Sequence, residues 1–173
     1  MIKQIRSWIF DIIIVLLVVY IVTTFIGQRT SVIGSSMEPT LHNGDQIIIN
    51  KISYRFSEPK RFDIVVFPYK QNQKQFYIKR IIGLPGETVK IQDGHIYIDG
   101  ELLEENYGLD EIKQSGRADE EIIVEEDEYF VLGDNRNNSS DSRFVDVGNI
   151  AKKDIQGKAW LRIWPFGDFG TIQ

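Results

Sequence analysis

From Trp8 to Ile26 the chain reads WIFDIIIVLLVVYIVTTFI, apolar at nearly every position, and after Gly27 its character changes. At 1.5 Å rise per residue, roughly twenty such residues cross a hydrocarbon layer about 30 Å thick. The pattern predicts a transmembrane anchor helix over 8–27. Asp11 is its one charge, and it falls in the first turns, where it reaches the interface and interacts favourably with the helix N-terminus. Lys3, Arg6 and the amino terminus precede the span while only Arg29 closely follows it. The positive-inside rule then puts residues 1–7 in the cytoplasm and 28–173 outside, in a single pass of the cell membrane. A cleavable export signal would be shorter and would end in a small-x-small site, which VVYIVTTFIG lacks.

Beyond the anchor the pattern becomes short apolar or alternating runs between turn residues. Gln46 to Asn50, Asp63 to Phe67, Phe76 to Ile82 and Tyr129 to Leu132 carry Ile, Val, Phe and Tyr and read as strands. In VKIQDGHIYIDGELL, Asp93-Gly94 lies between two alternating segments and predicts a tight hairpin, because both central residues of a type I′ turn need positive φ. No long amphipathic helix stands out beyond the anchor, so the region is expected to be mainly β. From Glu101 to Glu128 the chain is acidic and poor in strand signal. It reads as an exposed insertion or mobile loop, so that 93–128 comprises a hairpin and an acidic insertion.

Composition narrows the chemistry. A chain of 173 residues has room for one catalytic unit and a small appendage. With no cysteine there is no disulfide framework, thiolate zinc site or thiol nucleophile, so covalent chemistry must use oxygen or nitrogen. His42 and His95 lie far apart, which gives no support to a His-rich metal centre, and no metal is expected. The net charge of −5, with no block of Lys and Arg, argues against nucleic acid as a partner.

Three segments concentrate polar chemistry. GSSMEPTLHNGDQIIINK, from Gly34 to Lys51, offers Ser35 and Ser36 as loop hydroxyls. FYIKRIIGLPGETV sets Lys79 and Arg80 inside an apolar strand, where period-two alternation sends them to opposite faces. A Lys79 buried against Tyr77 and Ile81 would have its charged form disfavoured by desolvation; a fall of about two to three units from about 10.4 makes it a neutral base. A snorkelling strand lysine is the plainer alternative. GDNRNNSSDSR, from Gly133 to Arg143, could be a polar turn in which Asp141 and Arg143 form a surface ion pair of little value.

Taken together and in this order, the anchor, Ser-Met-x-Pro-Thr, the Gly-Asp turn, Lys-Arg before Gly-x-Pro-Gly and the Gly-Asp-Asn-Arg run closely resemble the type I signal peptidases in their short bacterial form. The likeness runs from the anchor to about Arg143. It implies coiled antiparallel sheets of the protease fold shared with self-cleaving repressors, and a serine endopeptidase that removes signal peptides from exported preproteins without a cofactor. By that resemblance Ser36 is the nucleophile and Lys79 its general base. Ser139 would hydrogen-bond and orient the lysine, and Arg80 with Asp134 and Asp141 with Arg143 would be structural ion pairs. The partners implied are signal peptides, membrane lipid and nearby export machinery.

Val32, Met37, Leu41, Tyr77 and Ile78 flank the catalytic pair and are candidates for substrate pockets, which would take an extended chain as an added strand. Trp160, Trp164, Phe166 and Phe169 are candidates for the headgroup level or for the core. The chain departs from some family members in having Gly34 where they carry a second oxyanion-donating serine, and from many in having Asn137 for Asp. Three rivals remain. A self-cleaving repressor would need a DNA-binding helix pair in place of the anchor, and the eukaryotic-type peptidase carries His where Lys79 stands. A catalytically silent, membrane-tethered binding protein would share the fold.

Overall fold

The computed structural model describes residues 2–21, 27–108 and 110–172. Helix α1, Ile2–Ile21, leads into strands β1 (Gly27–Ser31) and β2 (Gln46–Asn50), the single-turn helix α2 (Ser53–Phe56), and the hairpin of β3 (Ile64–Tyr69) with β4 (Asn72–Gly83). β5 (Thr88–Gln92), β6 (His95–Ile98), β7 (Glu101–Leu102) and β8 (Ile122–Ile123) follow, then β9 (Glu128–Leu132), β10 (Ile150–Ala151), β11 (Gly157–Trp164) and β12 (Gly170–Thr171). All their pairings are antiparallel. The larger sheet runs β1-β2-β11-β3-β4-β9-β10 with β12 beside β11, and the smaller runs β7-β6-β5-β8. The mainly β reading holds.

The C-terminal bound of the expected span needs correction. Gly27 is not the end of an anchor but the first residue of β1, where it pairs with Asn50. Residues 22–26 of the expected span lie outside the described residues, and among the described residues no helix is long and apolar enough to cross a membrane. The side chains of α1 from Trp8 to Tyr20 are nevertheless exposed, Trp8 by 73% and Leu16 by 63%.

Strand positions follow the alternation. β2 has the predicted bounds, β3 starts one residue later than expected, and β4 extends to twelve residues because cross-strand partners on β3 continue its ladder beyond the apolar run. Asp93 and Gly94 take φ of 51° and 78°, as a type I′ turn requires. Asp99 and Gly100 repeat this geometry at 51° and 79° and turn β6 into β7, a second hairpin that the same dipeptide signals.

β9 joins the two sheets energetically. Phe130 and Leu132 pack with Ile82, Val89, Ile91, Ile96 and Ile122, whereas Tyr129 and Val131 pack with Val65, Phe67, Ile81, Val147 and Ile150. Burial on both faces accounts for its continuous apolar sequence. The acidic stretch is also corrected: Ile112, Ala118, Ile122 and Val124 are buried in the cluster under the smaller sheet, so four apolar side chains spaced through the charges pin it down.

Gly83 ends β4 where this cluster is tightest. A Cβ there would lie 2.5 Å from Val89 Cγ2 and 3.0 Å from Phe130 Cβ. Gly83→Ala should therefore lower unfolding stability by about 1–3 kcal/mol through overpacking, read by urea denaturation of the full chain in detergent.

Candidate active site

Alternation along β4 buries two adjacent cations on opposite faces: Lys79 is 3% exposed and Arg80 fully enclosed. Burial of both is possible because each finds partners. Lys79 Nζ lies 2.8 Å from Ser36 Oγ and 2.9 Å from the Ile78 carbonyl oxygen, with the Tyr77 ring centroid 5.1 Å away. Loss of water pushes the Lys79 amine down from its usual 10.5 to about 8, against an opposing pull from the carboxylates of Asp141 and Asp134.

Ser36 is held from its backbone. Leu41 N–H donates to the Met37 carbonyl at 2.8 Å, which closes the turn after Ser36, and Asn135 N–H donates to the Ser36 carbonyl at 3.0 Å. Among the described residues the Ser36 N–H meets no acceptor, which leaves it free for an incoming oxygen. Gly34 has φ 90°, where a side chain would be strained, and its N–H is engaged by Asn43 Oδ1 at 2.9 Å. Backbone conformation thus favours glycine at the position where some relatives place a hydroxyl.

On the other face of β4, Arg80 forks onto Asp134 at 2.8 and 2.7 Å, and Thr40 Oγ1 donates to the same carboxylate at 2.6 Å. Arg143 meets Asp141 at 2.8 Å through both Nε and Nη2. Both pairs are buried, so the surface reading of Asp141 and Arg143 is corrected. Removing one member of such a pair typically costs about 3–5 kcal/mol, because the other charge is left enclosed and uncompensated.

A deprotonatable amine at hydrogen-bond distance from a hydroxyl suits nucleophilic acyl transfer. The family model for signal peptidase, peptidase S26, matches residues 5–164. The chain belongs to this family. A probable signal peptidase I-2 of Synechocystis sp. is 40% identical over 157 residues, covering 87% of this chain and 69% of the relative. Signal peptidase I P of Bacillus subtilis subsp. natto is 38% identical over 170 residues, covering 94% and 91%. A crystal structure of a signal peptidase I from Enterococcus faecalis V583 is 36% identical and covers 59% of this chain and 97% of its own, with a TM-score of 0.48.

In this S26 chain the sequence-predicted residues do not all converge. Ser139 does not bond Lys79: its hydroxyl is buried and unpartnered among the described residues, close enough to Gly133 that a Cβ there would stand 2.2 Å from Ser139 Oγ. Val32, Met37, Tyr77 and Ile78 line an open groove of about 660 Å³ together with Ser36 and Lys79. Leu41 does not line it; it is fully buried with Ile47, Ile64 and Ala159, because the turn after Ser36 points it into the core. His42, six residues beyond Ser36, is exposed.

Sequence reasoning missed Glu105, Tyr107 and Arg136. Arg136 is 3% exposed and donates to Glu105 Oε1 at 2.6 Å and to the Gly133 carbonyl at 3.1 Å, while the Tyr107 ring lies 3.6 Å from Arg80 Cζ. Nothing in the acidic run marks Glu105 or Tyr107 among its neighbours.

The depressed amine has a consequence for stability. The folded chain binds the Lys79 proton less tightly than the unfolded chain, so the penalty is complete below about pH 8 and fades as pH rises to 10.5. Lys79→Met should raise unfolding stability at pH 7 by on the order of 3 kcal/mol, with the gain shrinking above pH 8; denaturation curves at pH 7 and 10 measure both.

Proposed function

We propose that this chain is a signal peptidase I: a membrane-anchored serine endopeptidase in which Ser36 attacks the scissile carbonyl of a signal peptide and Lys79 serves as general base. The 2.8 Å approach of a buried lysine amine to the Ser36 hydroxyl carries this reading, with support from the family membership. Neutral Lys79 takes the proton as Ser36 Oγ bonds to the carbonyl carbon, and the Ser36 N–H stabilises the resulting oxyanion. The C–N bond then breaks as Lys79 returns the proton to the leaving amine. Lys79 next deprotonates a water, which attacks the acyl-enzyme, releases the signal peptide's new carboxylate and restores Ser36. The bond to the Ile78 carbonyl fixes the amine's direction through both half-reactions.

The exposed apolar surface of α1, the apolar sequence that continues through Ile26, and Lys3 and Arg6 before it support a single-pass anchor with a cytoplasmic N-terminus. The domain division is then 1–7 in the cytoplasm, 8–26 in the membrane and the remainder outside. Exposed Trp160, Trp164, Phe166 and Phe169 fit contact with lipid headgroups, and a substrate that is itself tethered to the membrane would reach the groove there. Export machinery would deliver it.

Incubation of the detergent-purified chain with a preprotein tests the reading. The wild type should release the mature protein, while Ser36→Ala and Lys79→Arg, the latter unable to deprotonate, should leave it intact; a preprotein retained uncut by the wild type would instead indicate a binding module. In the same assay kcat/KM should climb about tenfold per pH unit on the acid side and level off above about pH 8, because only the neutral Lys79 amine accepts a proton.

A further inference from the structure

The acidic stretch after β7 meets the loop behind the site twice: residues 111–117 bond Asn137 and Arg143, and the segment Glu105 to Gly108 reaches Arg136 and Arg80. Glu105 accepts a hydrogen bond from Arg136 Nη1 at 2.6 Å and, through its other oxygen, from Tyr107 N–H at 2.9 Å, so the carboxylate fixes its own loop while holding the arginine. The Arg136 pairing holds the Glu105 carboxyl below the usual carboxylate range despite partial burial, which raises it. Gly108 lies flat on the same arginine, where a Cβ would meet Arg136 Cγ and Nη1 at 3.2 Å. The Tyr107 ring covers Arg80, with its centroid 3.6 Å from Cζ, and leans on Phe62 at 5.0 Å between centroids.

Each of these arginines holds a part of the loop that touches the catalytic pair. Arg136 Nε donates to the Gly133 carbonyl at 3.1 Å, and Gly133 is wedged against Ser139 and the Ser36 carbonyl so closely that a Cβ would lie 2.5 Å from each of Ser139 Cβ and Ser36 O. Arg80 holds Asp134, whose neighbour Asn135 donates its N–H to the Ser36 carbonyl, and Thr40, four residues beyond Ser36, bonds the same carboxylate. Arg80 also follows Lys79 directly on β4.

We propose that Glu105 and Tyr107 are positioning residues for the Ser36 and Lys79 pair, acting through Arg136 and Arg80. The proposal rests on the assignment of that pair as nucleophile and base. Glu105 neutralises Arg136 and sets the height of Gly133 beneath Ser36. Tyr107 lays its π face on the Arg80 guanidinium, which keeps the guanidinium in the plane of its fork onto Asp134. Without these two contacts the loop from Gly133 to Ser139 shifts relative to β4 and the distance from amine to hydroxyl is lost, while the substrate groove, which neither residue lines and to which that loop gives only Asn138, keeps most of its lining.

The test compares Tyr107→Leu, Tyr107→Phe, Glu105→Ala and Glu105→Gln in the full chain with preprotein or a fluorogenic signal-peptide substrate, together with Ser36→Ala. Tyr107→Leu and Glu105→Ala should lower kcat about tenfold or more per folded molecule with KM near the parent value, since misplacement on the order of 1 Å costs up to about a hundredfold. Tyr107→Phe, which retains the ring, should restore kcat to within about twofold, and Glu105→Gln should fall between Glu105→Ala and the parent. Parental kcat in folded Tyr107→Leu and Glu105→Ala overturns the proposal, as does a loss confined to KM or to the folded fraction measured by circular dichroism. Activity remaining in Ser36→Ala would overturn the catalytic assignment itself, an outcome separable from the other two.

Discussion

The structure depends on a lysine amine kept out of water beside a serine hydroxyl. An ammonium in bulk solvent cannot accept the hydroxyl proton; enclosing Lys79 on the core side of β4 brings its pKa to about 8, within reach of neutral conditions. The neighbouring carboxylates of Asp134 and Asp141 work against this shift, and each is tied to its own arginine. Pairing with arginine offsets much of that negative charge, so the ion pairs bear on the Lys79 amine as well as on the backbone.

The same enclosure explains why so much of the surrounding chain is rigid and polar at once. Buried charges must be compensated, and the run from Asp134 to Arg143 supplies compensation through forked arginine contacts rather than through solvent. Because Arg80 and Lys79 are neighbours on one strand, the fork on one face and the amine on the other share the same stretch of backbone. Ser36 is drawn into this arrangement by the backbone bond from Asn135 N–H to its carbonyl and, four residues on, by the side-chain bond from Thr40 to Asp134, so its hydroxyl is left to meet the Lys79 amine.

Family membership and site geometry bear on different questions. Likeness along residues 5–164 gives the lineage, whereas the 2.8 Å approach of Lys79 to Ser36 gives a physical reason for the proposed reaction. The acidic stretch shows why both are needed. Its charge suggests only a solvated face, yet Glu105 and Tyr107 pack on the two arginines that hold the catalytic loop.

The sequence by itself determined the strands whose side chains alternate, the turn at Asp93-Gly94 and the placing of Lys79 and Arg80 on opposite faces, because those features follow from local periodicity and backbone sterics, whereas the burial of both cations came with the packing. Together with the motif order, it also determined Ser36 and Lys79 as the pair to examine. Tertiary structure alone decided that Leu41 enters the core instead of the groove, that Ser139 stands without a partner among the described residues, and that Asp141 and Arg143 are buried. It alone brought Glu105 onto Arg136, 31 residues away. Contacts between residues distant along the chain depend on how the two sheets pack about β9, and no local pattern of polar and apolar positions encodes that packing.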